Sequence, residues 1–248
     1  QCRCVHCSVP GPSKGHPPLS LEEIKRVVEE SLALGVNNIT FTGGEPLLRL
    51  DLEECISVVP QELAVVQVFT NGLTLDLERA SSLKAAGTYA VQISLDSPNP
   101  EEHDHLRGKQ GSFQSVRQAV VNALQSGLLV GLSTYATNRS LQDGSLKRIM
   151  ELAEQWGVHE VSVFDVIPTG RLLRHEEVML TSESRKSLRK LEWAYNGMRK
   201  RPPHMVTQNW TNSGSGFAKS FGCLAGNYQF HITAYGDFMP CDFTPLSF

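Results

Sequence analysis

Between residues 20 and 170 one pattern recurs five times: a stretch of helix length with apolar residues three and four apart, then a short run rich in β-branched and aromatic residues. The first helix starts at a capping box, Ser20-Leu21-Glu22-Glu23, in which serine and glutamate satisfy each other's free amides. It carries Ile24, Val27, Val28, Leu32 and Leu34 along one side and stops at Gly35. The strand 38–42 follows. Helices are then expected at 50–59, 75–86, 111–126 and 145–156, and strands at 64–70, 89–95, 128–137 and 160–167, with Pro60, Gly87, Gly127 and Gly157 as stops. Strands separated by helices of this length cannot pair as hairpins. They need crossovers, and crossovers make parallel sheets with one hand. The fold class is therefore α/β. A sixth strand is expected at or before the first residues.

Past Arg171 the pattern changes. A charged helix is expected over 181–200, ended by Arg201-Pro202-Pro203, and residues 209–220 are rich in Gly, Ser and Asn. A strand-like run, 229–233, and a turn at Tyr235-Gly236-Asp237 then predict a small hairpin. Two units are expected, 1–180 and 181–248. The chain begins without Met and ends at Phe248 without a closing element, so a fragment cut at both ends is expected.

The net charge of −3, with no basic tract, argues against a nucleic-acid surface. No run approaches the ~18 apolar residues of a membrane span. Six cysteines in 248 residues do not make a disulfide scaffold. Three of them fall in the first seven residues, and Cys223 and Cys241 lie near the other end. Metal-bound thiolates in a reducing, cytoplasmic compartment are the better expectation. Cys55, on the apolar side of its helix, reads as core.

In parallel sheets, ligands bind beyond the carboxyl ends of the strands. The unusual residues of this chain fall there: Gly43-Gly44-Glu45-Pro46, Asn71-Gly72, Ser94-Leu95-Asp96, Thr137-Asn138 and Ile167-Pro168-Thr169-Gly170-Arg171. Glycines admit close backbone approach. Glu45 can accept from an ammonium group. Ser94 and Asp96 share a face, and Arg107 can fork to a carboxylate. Each has a plain structural reading too: a turn, a helix N-cap, or a loop. Cys4 and Cys7 form a C-x2-C pair, which zinc, thiol-redox and iron–sulfur sites all use. His6, His103 and His105 read as loop residues.

Cys4-Val5-His6-Cys7 followed by Thr42-Gly43-Gly44-Glu45-Pro46 resembles the radical S-adenosylmethionine (SAM) enzymes, over residues 1 to about 171. The resemblance implies a partial (β/α)6 barrel and a [4Fe-4S] cluster held by three cysteines spaced C-x3-C-x2-C. Cys4 and Cys7 match the last two, which puts the first directly before Gln1. The other option is the triad Cys2, Cys4 and Cys7, disfavoured if side chains two apart point away from each other. Gly43, Gly44, Glu45 and Pro46 would then meet the SAM amino group, with Asn71 at the next strand end. Ser94 and Asp96 would meet its ribose, Arg107 its carboxylate, and the backbone at Ile167 its adenine. The implied chemistry is reductive cleavage of SAM to a 5′-deoxyadenosyl radical, which abstracts hydrogen from the substrate.

Cys223-x12-Gly236-x4-Cys241 resembles the start of a SPASM or twitch extension, which implies an auxiliary iron–sulfur cluster held partly by Cys223 and Cys241, across a hairpin. Such extensions accompany peptide or protein modification. Haem-precursor and molybdopterin-precursor enzymes of the family are the alternative, and a non-catalytic zinc-binding α/β domain is the alternative of another class. The implied partners are a peptide or small-molecule substrate and an electron donor such as flavodoxin or ferredoxin, with no nucleic acid and no membrane.

Overall fold

The computed structural model describes residues 2–8, 17–197, 201–207, 225–226, 228–241 and 243. The strands are β1 (Asn38–Phe41), β2 (Val65–Thr70), β3 (Thr88–Ser94), β4 (Leu129–Ala136), β5 (Glu160–Asp165) and β6 (His204–Thr207). They form one six-stranded sheet in sequence order, and every neighbouring pair is parallel. Sequential order with crossovers of one hand puts all the connecting helices on one face. The sheet therefore curls as a partial (β/α)6 barrel with helices outside.

The outer face is the core. Val66, Val68, Val91, Ile93, Val130, Leu132, Val161, Val163 and Met205 are all buried against the helices. These are α1 (Leu21–Ala33), α2 (Leu52–Ser57), α3 (Leu77–Ala86), α4 (Pro100–Arg107), α5 (Ser112–Gln125), α6 (Asn138–Gln142), α7 (Ser145–Gln155) and α8 (Ser182–Asn196). The capping box at Ser20 and Glu23 is formed as the sequence predicts.

The inner face mixes polar and aromatic side chains. The register aligns Phe69, Gln92, Gly131, Glu160 and His204 in one row, and Ser94, Ser133, Ser162 and Val206 in the next. Gln92 donates to Glu160 (3.1 Å) across Gly131, where a Cβ would run into the Gln92 carboxamide. Barrels that close on a packed interior fill it with branched apolar side chains. This one sets hydrogen-bonding groups there beside the aromatic rings of Phe69, Tyr135 and Phe164.

Two features depart from expectation. The sixth strand is β6, after α8, rather than a strand at the start. It is short, and only its pairing to β5 and burial of Met205 make it a strand. Asn196 ties it down, donating to the Met205 carbonyl (2.6 Å) and accepting from its N–H (2.9 Å). The second departure is α4, in a stretch that reads as loop. Asn99 caps it, Pro100 occupies its first turn, and Gly108 (φ 59°) closes it. In consequence His103 is fully buried rather than solvated. Cys55 is buried in the core as expected.

The expected hairpin forms from β7 (His231–Ile232) and β8 (Phe238–Met239), antiparallel, about a turn in which the Thr233 hydroxyl donates to Asp237 Oδ2. It joins the barrel where Leu19 N–H donates to the Ala234 carbonyl (2.7 Å). Among the described residues no helix is long and apolar enough to cross a membrane.

Candidate functional site

The cysteine loop, residues 2–8, lies over the carboxyl end of the sheet without secondary structure of its own. Borrowed hydrogen bonds hold it. Arg3 and Val5 N–H groups donate to the carbonyls of Arg107 (2.8 Å) and Leu106 (3.0 Å). Those carbonyls are free because they belong to the last turn of α4. On the other side, Arg171 N–H donates to the Cys7 carbonyl (3.0 Å) and Arg171 Nη1 to the Cys4 carbonyl (2.7 Å). Cys7 N–H donates to the Cys4 carbonyl (3.4 Å), closing the turn.

Beneath the loop sits a buried charged group. Asp96, only 4% exposed, follows β3. Its Oδ2 lies 2.5 Å from Arg107 Nε and 3.4 Å from His6 Nε2. Its N–H donates to His103 Nδ1 (3.2 Å). Burial pushes the Asp96 carboxyl up, but the charges of Arg107, His6 and His103 together outweigh it and hold it below its ordinary value. Asp96 Oδ1 is buried with no hydrogen-bond partner. Burial also drives His103 down to about 4, so its ring is neutral near pH 7. Arg107 in turn donates from Nη1 to Cys4 Sγ (3.6 Å).

The thiols respond to these neighbours. A hydrogen bond from Cys2 is the largest influence on Cys4 and, with the Arg107 and His6 charges, brings it down to about 5 against the opposing effect of burial. The same contact pushes Cys2 up. Side chains two apart in an extended segment share a face. The expectation that Cys2 and Cys4 point apart is therefore corrected, and Cys2 stands beside Cys4.

A second group forms at the ends of β1 and β2. Gly43 has φ 127°, a conformation open to glycine, and Gly44 and Pro46 complete a turn into a short 3-10 segment, Pro46–Leu48. The Glu45 carboxylate accepts from Thr70 Oγ1 (2.6 Å), Asn71 N–H (2.8 Å) and Leu47 N–H (3.1 Å). Burial raises its pKa against those hydrogen bonds. Asn71 Oδ1 accepts from Leu73 N–H (2.9 Å). Three of Glu45's hydrogen bonds thus go to the protein, and it fastens two strand ends together. The Arg107 charge also acts on Glu45, linking the two groups.

Ser94, at the end of β3, lies 3.2 Å from Ser133 Oγ on β4. The Ile167 carbonyl accepts from Thr169 N–H (2.8 Å) in the turn beyond β5. Cys223 lies outside the described residues. Cys241 is buried, and its sulfur accepts from Phe243 N–H (3.4 Å). From the sequence His6 and His103 read as loop residues, and Arg171 only as the last member of a strand-end set. For His103 the signal was present in Asn99-Pro100 and Gly108, which together bracket a helix.

A cavity of about 270 Å³ opens beside the loop. Val5, His6 and Asp96 line it together with Tyr135, Thr137, Val166 and Leu172, which lie at or beyond the ends of β4 and β5. The His6 ring meets Tyr135 edge-on at 4.7 Å. The cavity lies where parallel sheets take their ligands.

Among the described residues no three His, Cys, Asp or Glu side chains converge as ligands of one ion would. Cys2, Cys4 and Cys7, partly exposed on one loop with Arg107 against Cys4, suit a cluster that spreads its thiolates over several irons.

Residues 2–153 match the model of the Radical SAM superfamily. The AdoMet-dependent heme synthase of Methanosarcina barkeri is 28% identical over 98% of this chain and 74% of its own length. A probable GTP 3′,8-cyclase of Methanosarcina acetivorans is 34% identical over 62% of this chain and 47% of its own length. Among solved structures, Streptococcus suis SuiB bound to its precursor peptide SuiA superposes with a TM-score of 0.74, at 16% identity, over 97% of this chain. The chain spans 56% of SuiB, and that likeness is one of fold.

Proposed function

The chain belongs to the radical SAM superfamily, and we propose that its cysteine loop and the adjoining cavity are the SAM-cleaving centre of an enzyme acting on a small molecule of the haem-precursor kind. Membership makes it an enzyme that works with a [4Fe-4S] cluster and SAM. The single observation that carries the location is the seating of Cys4 and Cys7 on the carboxyl end of a parallel sheet, beside a cavity. Cys4 and Cys7 would hold the cluster, with Cys2 or a cysteine before Gln1 as third ligand. When bound, the cluster supplies one electron for reductive cleavage of the SAM sulfonium.

This chain's residues hold and orient. The buried Asp96 Oδ1, unpartnered and beside the cavity, is an acceptor suited to a ribose hydroxyl, and Ser94 lies two residues away. Arg107 spans Asp96 and Cys4, so it positions the loop and neutralises the carboxylate as well as offering charge to a ligand. Glu45 keeps the Gly43–Gly44 turn in place for an amino group. The turn after Ile167 presents backbone where an adenine would lie. Val5, Leu172 and Val166 give the cavity apolar walls that limit water.

The substrate class rests on relatedness: the alignment to the heme synthase runs through 98% of the chain, its C-terminal part included, whereas the cyclase alignment spans 62%. Peptide modification is the second reading, favoured by the fold match to the peptide-bound SuiB. An auxiliary cluster at Cys223 and Cys241, a division at residue 180, a cytoplasmic setting and a flavodoxin or ferredoxin donor complete the proposal.

The test is anaerobic reconstitution with iron and sulfide, followed by dithionite and SAM. Production of 5′-deoxyadenosine is expected, and stimulation by iron-coproporphyrin III but not by a peptide would support the haem-precursor assignment. A colourless protein that leaves SAM intact refutes the proposal.

A further inference from the structure

The cysteine loop owes its position to contacts from two sides, and among the described residues the hydrogen bonds from the β5 side come from Arg171. Arg171 donates its main-chain N–H to the Cys7 carbonyl (3.0 Å) and its guanidinium Nη1 to the Cys4 carbonyl (2.7 Å). These carbonyls belong to the two members of the C-x2-C pair, so a single residue grips both ends of the turn that separates the sulfurs. A guanidinium is a rigid, permanently charged donor, and its bond to a carbonyl is among the stronger neutral-acceptor hydrogen bonds.

The preceding residue is shaped for this contact. Gly170 has φ 55°, and a Cβ there would collide with the Cys7 carbonyl and the Ser8 backbone. The close approach exists because no side chain intervenes. The following residue, Leu172, lines the cavity together with Val5 and His6 of the loop. Arg171 therefore holds both members of the cysteine pair from a position next to a cavity-lining residue.

We infer that Arg171 is the positioning residue that locks the cysteine pair to the β5 end and couples its geometry to the adjoining cavity. The inference rests on the assignment of Cys4 and Cys7 as cluster ligands only for its consequence in iron retention; the grip on the loop stands apart from it. Among the described residues the hydrogen bonds of Arg171 to the loop go to backbone carbonyls, so it sets the place of the sulfurs without contributing a ligand.

The experiment compares the full chain with Arg171→Ala, Arg171→Lys and, as a control for lost surface charge, Lys147→Ala, whose ammonium pairs with Glu151 on the solvent face of α7. Two measurements are made: release of iron to a chelator from the reconstituted protein, and amide hydrogen exchange of the segment 2–8 in the iron-free protein. Arg171→Ala is expected to speed both by about tenfold, the loss of one charged-donor hydrogen bond. Arg171→Lys keeps a donor and falls between, Lys147→Ala matches the unsubstituted chain, and the iron-free melting temperature of Arg171→Ala stays close to it. Unchanged exchange and unchanged iron release in Arg171→Ala overturn the inference. So does a melting temperature that falls in step with the faster exchange, which would mark a general stabilising contact. If the unsubstituted chain takes up no iron, the ligand assignment fails, while the exchange measurement still decides the role of Arg171.

Discussion

Asp96→Asn tests the buried charged group most directly. Asp96 is 4% exposed and Arg107 9% exposed, so the substitution leaves a buried guanidinium facing a neutral amide. Removing one partner of a buried ion pair costs about 3–5 kcal/mol, because the remaining charge is uncompensated. For a chain of this size 1 kcal/mol corresponds to roughly 2–4 °C, so the iron-free protein should melt about 6–20 °C lower. Arg107→Met in the same background should recover part of the loss, since an apolar side chain of similar length leaves no stranded charge. Acid should reveal the pair as well. The folded-state pKa of Asp96 lies below its ordinary 3.8, so its stabilisation is present above that value and is lost as pH falls through the folded value. Urea unfolding of the four proteins of the cycle at neutral pH, repeated near pH 3, measures this. Additive single and double substitutions, or a loss under about 1 kcal/mol for Asp96→Asn, would mean that Asp96 and Arg107 are not energetically paired.

His103 has its pKa driven down to about 4, so the unfolded chain binds the extra proton between that value and its ordinary 6.5. Stability should rise with pH across that window by up to about 1.4 kcal/mol per unit, and His103→Gln should flatten the slope; an equal slope in the variant removes His103 as its source. Glu45→Ala should keep its iron yet lose about tenfold or more in SAM affinity, because the strand-end turn loses three hydrogen bonds worth roughly 1.5–3 kcal/mol each at most; equilibrium dialysis with an unchanged affinity would take Glu45 out of the site. Cys4→Ser and Cys7→Ser should each abolish iron loading, and Cys2→Ser separates the two ligand sets: retained iron excludes Cys2 as third thiolate.

Periodicity alone carried the alternation of strands and helices, since the spacing of apolar residues reports which face of each element must leave water, and the parallel sheet follows from connection length. The strand-end glycines and Glu45 were legible for the same reason: they interrupt that pattern at its functional edge. A four-residue strand such as β6 has too little periodicity to announce itself, and its pairing with β5 joins residues far apart in sequence, Glu160 with His204 for one. The contacts of Arg107, His103 and Arg171 were likewise decided only in three dimensions. Each side chain could have faced a ligand or the protein. Burial beside the cysteine loop, where a charge must be neutralised, turned Arg107 and His103 toward protein partners, while the exposed Arg171 met two loop carbonyls that needed donors.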